Sequence, residues 1–101
     1  MLVDLRPDSA TFGQYESIIL GEPDFGSIFV PAGIGNSFLV LSDEVDYVYS
    51  VTDYWATGKE ETVLYNDPDL NVKWELPAEE LIVSDRDKEA KSVRETYPNK
   101  F

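Results

Sequence analysis

The 101-residue sequence predicts an all-β domain with a short helix near its C-terminus. Three observations carry that expectation. Short apolar-alternating segments recur between clusters of Gly, Pro, Asp, Asn and Ser, the pattern of a sandwich or barrel. The stretch from Val45 to Trp55 reads as a strand that sets Val45, Tyr47, Tyr49 and Val51 on one face, since successive strand residues point to opposite sides. Beyond Val83 the chain changes character, and Ser84-Asp85-Arg86-Asp87 opens a helical pattern. The expected organisation is a strand-rich region over 1–77 and a helix-bearing extension over 78–101, packed on the same domain.

Met1 to Leu5 reads as a strand in which Val3 and Leu5 alternate with Asp4. Arg6-Pro7-Asp8-Ser9 is a turn cluster. Tyr15 to Leu20 reads as a second strand and Gly21-Glu22-Pro23-Asp24 as the turn that ends it. Ser27 to Val30 is a short apolar strand that stops at Pro31. Pro31-Ala32-Gly33-Ile34-Gly35-Asn36 reads as a loop whose two glycines suggest positive φ or close backbone approach. Phe38 to Leu41 is a further strand, and Ser42-Asp43-Glu44 turns the chain into the tyrosine strand. Thr62 to Tyr65 reads as a strand that Asn66-Asp67-Pro68 breaks, because proline cannot donate to a ladder. The helix expected from Ser84 runs to about Glu95. Ser84 with Asp87 resembles a capping box, Asp87 and Lys91 are spaced for an i,i+4 pair, and Pro98 ends any helix. Trp74 is assigned to the core.

Composition narrows the function classes. With 8 Lys+Arg against 20 Asp+Glu, the net charge is -12. Such a surface disfavours nucleic acid and anionic membranes, both of which need a cationic face. The chain has no cysteine, which fits a reducing compartment, and no apolar run long enough to span a membrane. No secretory signal pattern opens it, so a cytoplasmic location is expected. It also has no histidine, the side chain most used as a base near neutral pH and the usual ligand of zinc or iron. No Asp-x-Asp-x-Asp-Gly loop is present for calcium, and no metal or other cofactor is expected.

The tyrosine wall invites two readings. Phenolic hydroxyls on an otherwise aliphatic face suit a lined small-ligand pocket. Tyrosine is also common on half-buried strands for packing alone. The order of motifs adds to this. Val3-Asp4-Leu5-Arg6, Ala10-Thr11-Phe12-Gly13, Phe29-Val30-Pro31-Ala32-Gly33 and Phe38-Leu39-Val40-Leu41-Ser42-Asp43 come first. Tyr49-Ser50-Val51-Thr52-Asp53-Tyr54-Trp55, Asn66-Asp67-Pro68-Asp69-Leu70 and Leu81-Ile82-Val83-Ser84-Asp85-Arg86-Asp87 follow. Together, in this order and spacing, they resemble the dTDP-4-dehydrorhamnose 3,5-epimerase family over nearly the whole chain.

That resemblance implies a cupin-type jelly-roll β-barrel, usually a homodimer and without a metal. The implied substrate is dTDP-4-keto-6-deoxyglucose, on the route to dTDP-rhamnose. Protons leave C3 and C5 beside the C4 ketone and return on the opposite face, which calls for a base, an acid and a donor for the enolate oxygen. Tyr49 falls on the family's tyrosine acid, and Asp87 on the aspartate that pairs with the catalytic histidine. Asn36 falls where many members have histidine and can hydrogen-bond a sugar. Trp55 replaces an active-site tyrosine, and Tyr47 shares the face of Tyr49. Each has a plainer reading as well: packing for Tyr49, a first-turn carboxylate for Asp87, a loop residue for Asn36, core or rim for Trp55. The histidine itself belongs to a segment upstream of the part matching Met1, so the chain resembles the second half of an epimerase. Three expectations follow: a catalytic half that is absent, a binding or dimerisation module that kept the pocket wall, or an enzyme completed by a complementing chain.

Overall fold

The computed structural model describes residues 1–21, 26–51 and 61–101. The turn expected through Glu22 to Asp24, and Tyr54 and Trp55, lie outside the described residues. The architecture is a small, unclosed antiparallel sheet followed by a few short helices. Strands β1 (Leu2–Asp4), β2 (Tyr15–Glu16) and β3 (Ile34–Asn36) stand in the order β2-β1-β3. Val3 lies opposite Tyr15 on one side and Gly35 on the other.

The connection between β1 and β2 is held by one carboxylate. Asp4 is buried and accepts from the backbone N–H of Arg6 at 3.0 Å, from Arg6 Nε at 3.0 Å and Nη2 at 2.9 Å, and from the Ser9 hydroxyl at 2.6 Å. The Thr11 hydroxyl donates to it as well. The Arg6–Ser9 turn read from the sequence is thus closed from inside, with Ser9 N–H on the Arg6 carbonyl at 3.0 Å.

The glycine-rich stretch before Asn36 corrects the loop reading. Gly33 does take positive φ, at 85°, where an L side chain is strained. The next three residues, however, pair with β1 as β3. At Gly35 a Cβ would stand 2.9 Å from Leu5 Cδ1, so a larger residue would require the end of the Leu5 side chain to shift. Glycine here permits the pairing instead of breaking it.

Four further expected strands do not join the sheet. The second shrinks to Tyr15–Glu16. Neither 27–30, 38–41 nor 45–51 forms a ladder, and 62–65 keeps a single parallel bridge, Val63 to Lys91. Alternation sorts side chains, but a strand also needs a neighbouring backbone about 4.8 Å away. Among the described residues, the run 38–51 has no such neighbour.

The C-terminal helix is likewise two pieces, α1 (Asp85–Lys88) and α2 (Val93–Thr96). Ser84 caps α1, its hydroxyl accepting from Asp87 N–H at 3.3 Å. The full capping box is the later one. Glu95 N–H donates to Ser92 Oγ at 3.2 Å and Ser92 N–H to Glu95 Oε2 at 2.9 Å. Between the helices the Lys91 carbonyl leaves the helical path to accept from Leu64 N–H at 2.9 Å. Asp87 and Lys91 therefore do not share a helix.

Packing centres on Val93, the one fully buried hydrophobic residue among those described. Its N–H donates to Asp67 Oδ2 at 2.7 Å, while Asp67 Oδ1 accepts from Asp69 and Leu70 N–H at 2.8 and 3.1 Å. Trp74 is half-buried and donates its indole N–H to the Tyr65 carbonyl at 3.0 Å. Phe12 meets Tyr97 edge-on at 5.4 Å, and Tyr15 accepts from Lys73 N–H at 3.1 Å, so the C-terminal part rests on the β1–β2 connection.

Candidate functional site

The candidate site grows out of the end of β3. Met1 and Ser37 exchange backbone hydrogen bonds at 3.0 Å, which carries the sheet edge one residue past Asn36. Phe38 follows, and its ring stacks on Tyr47 at 4.1 Å with 16° between planes. The bend between them is fastened by the Ser42 hydroxyl on the Glu44 carbonyl at 2.6 Å. Tyr47 in turn meets Tyr49 at 5.8 Å, tilted by 47°. The Asn36 amide donates to the Tyr47 hydroxyl at 3.1 Å, and that hydroxyl also reaches Asn36 Oδ1 at 3.4 Å.

Asn36, Tyr47 and Tyr49 are therefore brought together, with Phe38 as a member that the sequence had offered only as a strand residue. The wall is not one-sided, however. Val48 is 90% exposed and Tyr49 68% exposed, so both sides of the run face outward. No described residue hydrogen-bonds the Tyr49 hydroxyl. An exposed phenol beside a stacked aromatic surface can donate a proton to a ligand lying on that surface.

Asp87 stands elsewhere. Its described partners are Ser84, through its backbone, and Arg86 Nε, 3.4 Å from its carboxylate. No hydrogen bond or ion pair joins it to the aromatic group among the described residues. Trp55 lies outside the described residues.

Two features stand out in the structure that sequence reasoning passed over. Asp4 and Arg6 help line a cleft of about 350 Å³ with Thr11, Gln14, Tyr15 and Glu16. The Arg6 guanidinium, with the Ser9 and Thr11 hydroxyls, holds the Asp4 carboxyl far below the usual carboxylate range. The available signal was an acid at the end of a strand, Asp4, followed two residues later by Arg6 at the start of the turn cluster. Asp67 is the other, read as part of a turn but also the acceptor for α2. Among the described residues no three carboxylates converge to hold a metal, and no helix is long and apolar enough to cross a membrane.

Residues 1–95 match the sequence model of the dTDP-4-dehydrorhamnose 3,5-epimerase family. The chain is 37% identical over 90 residues to the dTDP-4-dehydrorhamnose 3,5-epimerase of Pseudomonas aeruginosa, covering 89% of this chain and 49% of that one. It is 38% identical over 96 residues to the enzyme of the same name from Mycolicibacterium smegmatis, covering 94% and 46%. A dTDP-4-dehydro-6-deoxyglucose 3-epimerase from a Streptomyces species is 36% identical over 93 residues, covering 92% and 47%. No solved structure matches the chain. The chain spans about half the length of the curated relatives it matches. On the match across 1–95, the chain belongs to the dTDP-4-dehydrorhamnose 3,5-epimerase family.

Proposed function

We propose that this chain forms one wall of a site that epimerises a dTDP-4-keto-6-deoxy sugar, with Tyr49 returning a proton to the ring. The observation that carries the reading is the family match over residues 1–95, a range that includes Tyr49, together with the packing of Tyr49 against Tyr47, which Asn36 ties to the sheet. A proton beside a ketone is acidic enough for a base to remove, because the enolate shares its charge with the carbonyl oxygen. Inversion needs an acid on the other face, and a phenol can serve. Asn36 and Tyr47 offer hydrogen bonds to sugar hydroxyls, Trp55 an aromatic surface, and Asp87 a partner for an incoming base. No metal or other cofactor takes part in this reading.

The family's catalytic histidine has no counterpart in this chain, which has no histidine, and no Lys or Arg occurs between Arg6 and Lys59. The open β2-β1-β3 sheet and the unpaired run 38–51 suit a jelly-roll barrel completed by a second half, in a cytoplasmic homodimer or with a complementing chain. In this reading 1–77 is the barrel region and 78–101 an extension packed on it. The same absence of histidine favours a second reading, a binding or dimerisation module for sugar nucleotides without chemistry.

Amide NMR with dTDP-4-keto-6-deoxyglucose tests the wall. Shifts concentrated on Asn36, Tyr47 and Tyr49 are expected, and no shift at millimolar ligand would remove the site. In an assembled enzyme, Tyr49→Phe should still wash deuterium into C3 from the base side. It should form inverted product about 100-fold more slowly or worse. Inversion at the original rate would end the role of Tyr49.

A further inference from the structure

We propose that the cleft between Tyr65 and Trp74 is a further small-molecule site, taking a neutral polyhydroxylated ring such as an unphosphorylated pyranose. It shares no lining residue with the Asn36, Tyr47 and Tyr49 group, and it does not depend on the epimerase reading.

Size and support are the first argument. The cleft has a volume of about 320 Å³. Small-ligand sites run from roughly 300 to 1,000 Å³, so this one admits a single ring and not a nucleotide sugar. Its walls are held before any ligand arrives. Trp74 donates its indole N–H to the Tyr65 carbonyl at 3.0 Å, which ties the two aromatic residues together. Asp67 is buried in the same wall, with both carboxylate oxygens on backbone N–H groups. Lys73 N–H on the Tyr15 hydroxyl at 3.1 Å and Ser17 Oγ on Glu75 at 3.3 Å fasten the segment around Trp74 to β2 and its end. A site whose groups are already held loses little freedom on binding.

The aromatic pair sets the shape of the ligand. The ring centroids are 6.5 Å apart and the planes are tilted by 57°. A ring sandwiched between them would need parallel planes about 7 Å apart, so the ligand lies on one face. An aromatic face is negative and the C–H bonds of a saturated ring are weakly positive, so a pyranose can rest there with its hydroxyls toward the rim. The rim is polar. Asn66 lines the cleft, and no described residue hydrogen-bonds its amide. Asn71 Oδ1 accepts from Lys73 Nζ at 3.1 Å, which leaves the Asn71 amide N–H groups and two ammonium protons for a ligand. Asn66 adds an acceptor, and a hydroxyl uses both donors and acceptors. Asn71 also has φ 49°, the one positive value outside glycine among the described residues. Glycine would take that conformation without strain, whereas asparagine tolerates it and brings an amide to the rim.

Charge excludes the other classes. The chain carries a net charge of -12, and Glu79 and Glu80 stand exposed beside Ala78, which lines the cleft. That field repels an anion. An organic cation meets Lys73, the one cationic side chain in the lining among the described residues. A neutral ring meets neither obstacle.

The test is an amide NMR titration of the 101-residue chain with methyl α-D-glucopyranoside to about 100 mM, with glycerol at equal hydroxyl concentration as the control. The Trp74 indole N–H and the side-chain amides of Asn66 and Asn71 should shift and saturate, with a Kd of about 1–10 mM. Glucose 6-phosphate should bind at least about threefold more weakly. Asn71→Gly keeps the backbone conformation and removes the amide; it should weaken binding at least about fivefold while the Val93 amide stays in place. Asn66→Ala should weaken binding as well. Shifts that rise without saturating would overturn the proposal. So would an equal response to glycerol, tighter binding of the phosphate, or an affinity unchanged in both variants. Saturating shifts confined to Asn36, Tyr47 and Tyr49 would overturn it too, while favouring the epimerase wall. Saturating shifts confined to the cleft support it whatever becomes of that wall.

Discussion

Asp4 and Asp67 show how single carboxylates organise this chain. Each is buried among N–H or O–H donors, and each holds a turn together. Asp67→Ala removes the acceptor for three backbone N–H groups, including that of buried Val93. It should cost about 2–3 kcal/mol, read as a lower denaturant midpoint; Asp67→Asn, which keeps one acceptor oxygen, should cost less. A pH dependence follows from three depressed carboxyls. Asp4 is lowered first by Arg6, Asp69 first by Arg94, and Glu95 first by the Ser92 backbone N–H. A folded-state value below the unfolded one stabilises above the unfolded range, at about pH 4, and that contribution fades as pH falls further. Thermal melts should therefore be flat from pH 7 to about 5 and fall below about 4. The turn at Asp67-Pro68-Asp69 was legible in the sequence, because a carboxylate two residues before an N–H closes such turns locally. Its bond to Val93, 26 residues on, was not, since nothing local encodes a distant acceptor.

At the level of elements, legibility followed the range of the interaction. Ser84 as a helix start was visible, and so was positive φ at Gly33. The break between α1 and α2 was written in Ser92-Val93-Arg94-Glu95, but a continuous helical pattern hid it. Ser92→Ala should cost about 1 kcal/mol and fray α2 first, visible as faster exchange at Thr96 and Tyr97, whose N–H groups close the helix. Gly33→Ala should cost about 1–2 kcal/mol from its φ alone. Its Cβ would also stand 2.4 Å from Arg6 Cγ, so Arg6 must move. The strand readings at 38–41 and 45–51 anticipated the Tyr47–Tyr49 neighbourhood, but not the stacking of Phe38 on Tyr47 nor that no described backbone pairs with them. Alternation is a property of one segment, whereas a ladder belongs to two.

For the whole molecule, stability is uneven. Protection should concentrate on β1, flanked on both sides, and on α2 around Val93. The family was legible from the order of motifs, and the site only in part. Asn36, Tyr47 and Tyr49 converge, Asp87 keeps to its own helix start, and the chain has no histidine. The Asp67 carboxylate has a last consequence, for the order of assembly. Oδ1 closes the turn with neighbours two and three residues away, so that step can finish early. Oδ2 has no protein partner until Val93 arrives, and must shed its water when it does. One side chain thus takes part in a fast local event and a slow distant one. Refolding followed at Leu70 and at Val93 should show two rates, the first nearly unchanged and the second slowed by Val93→Ala.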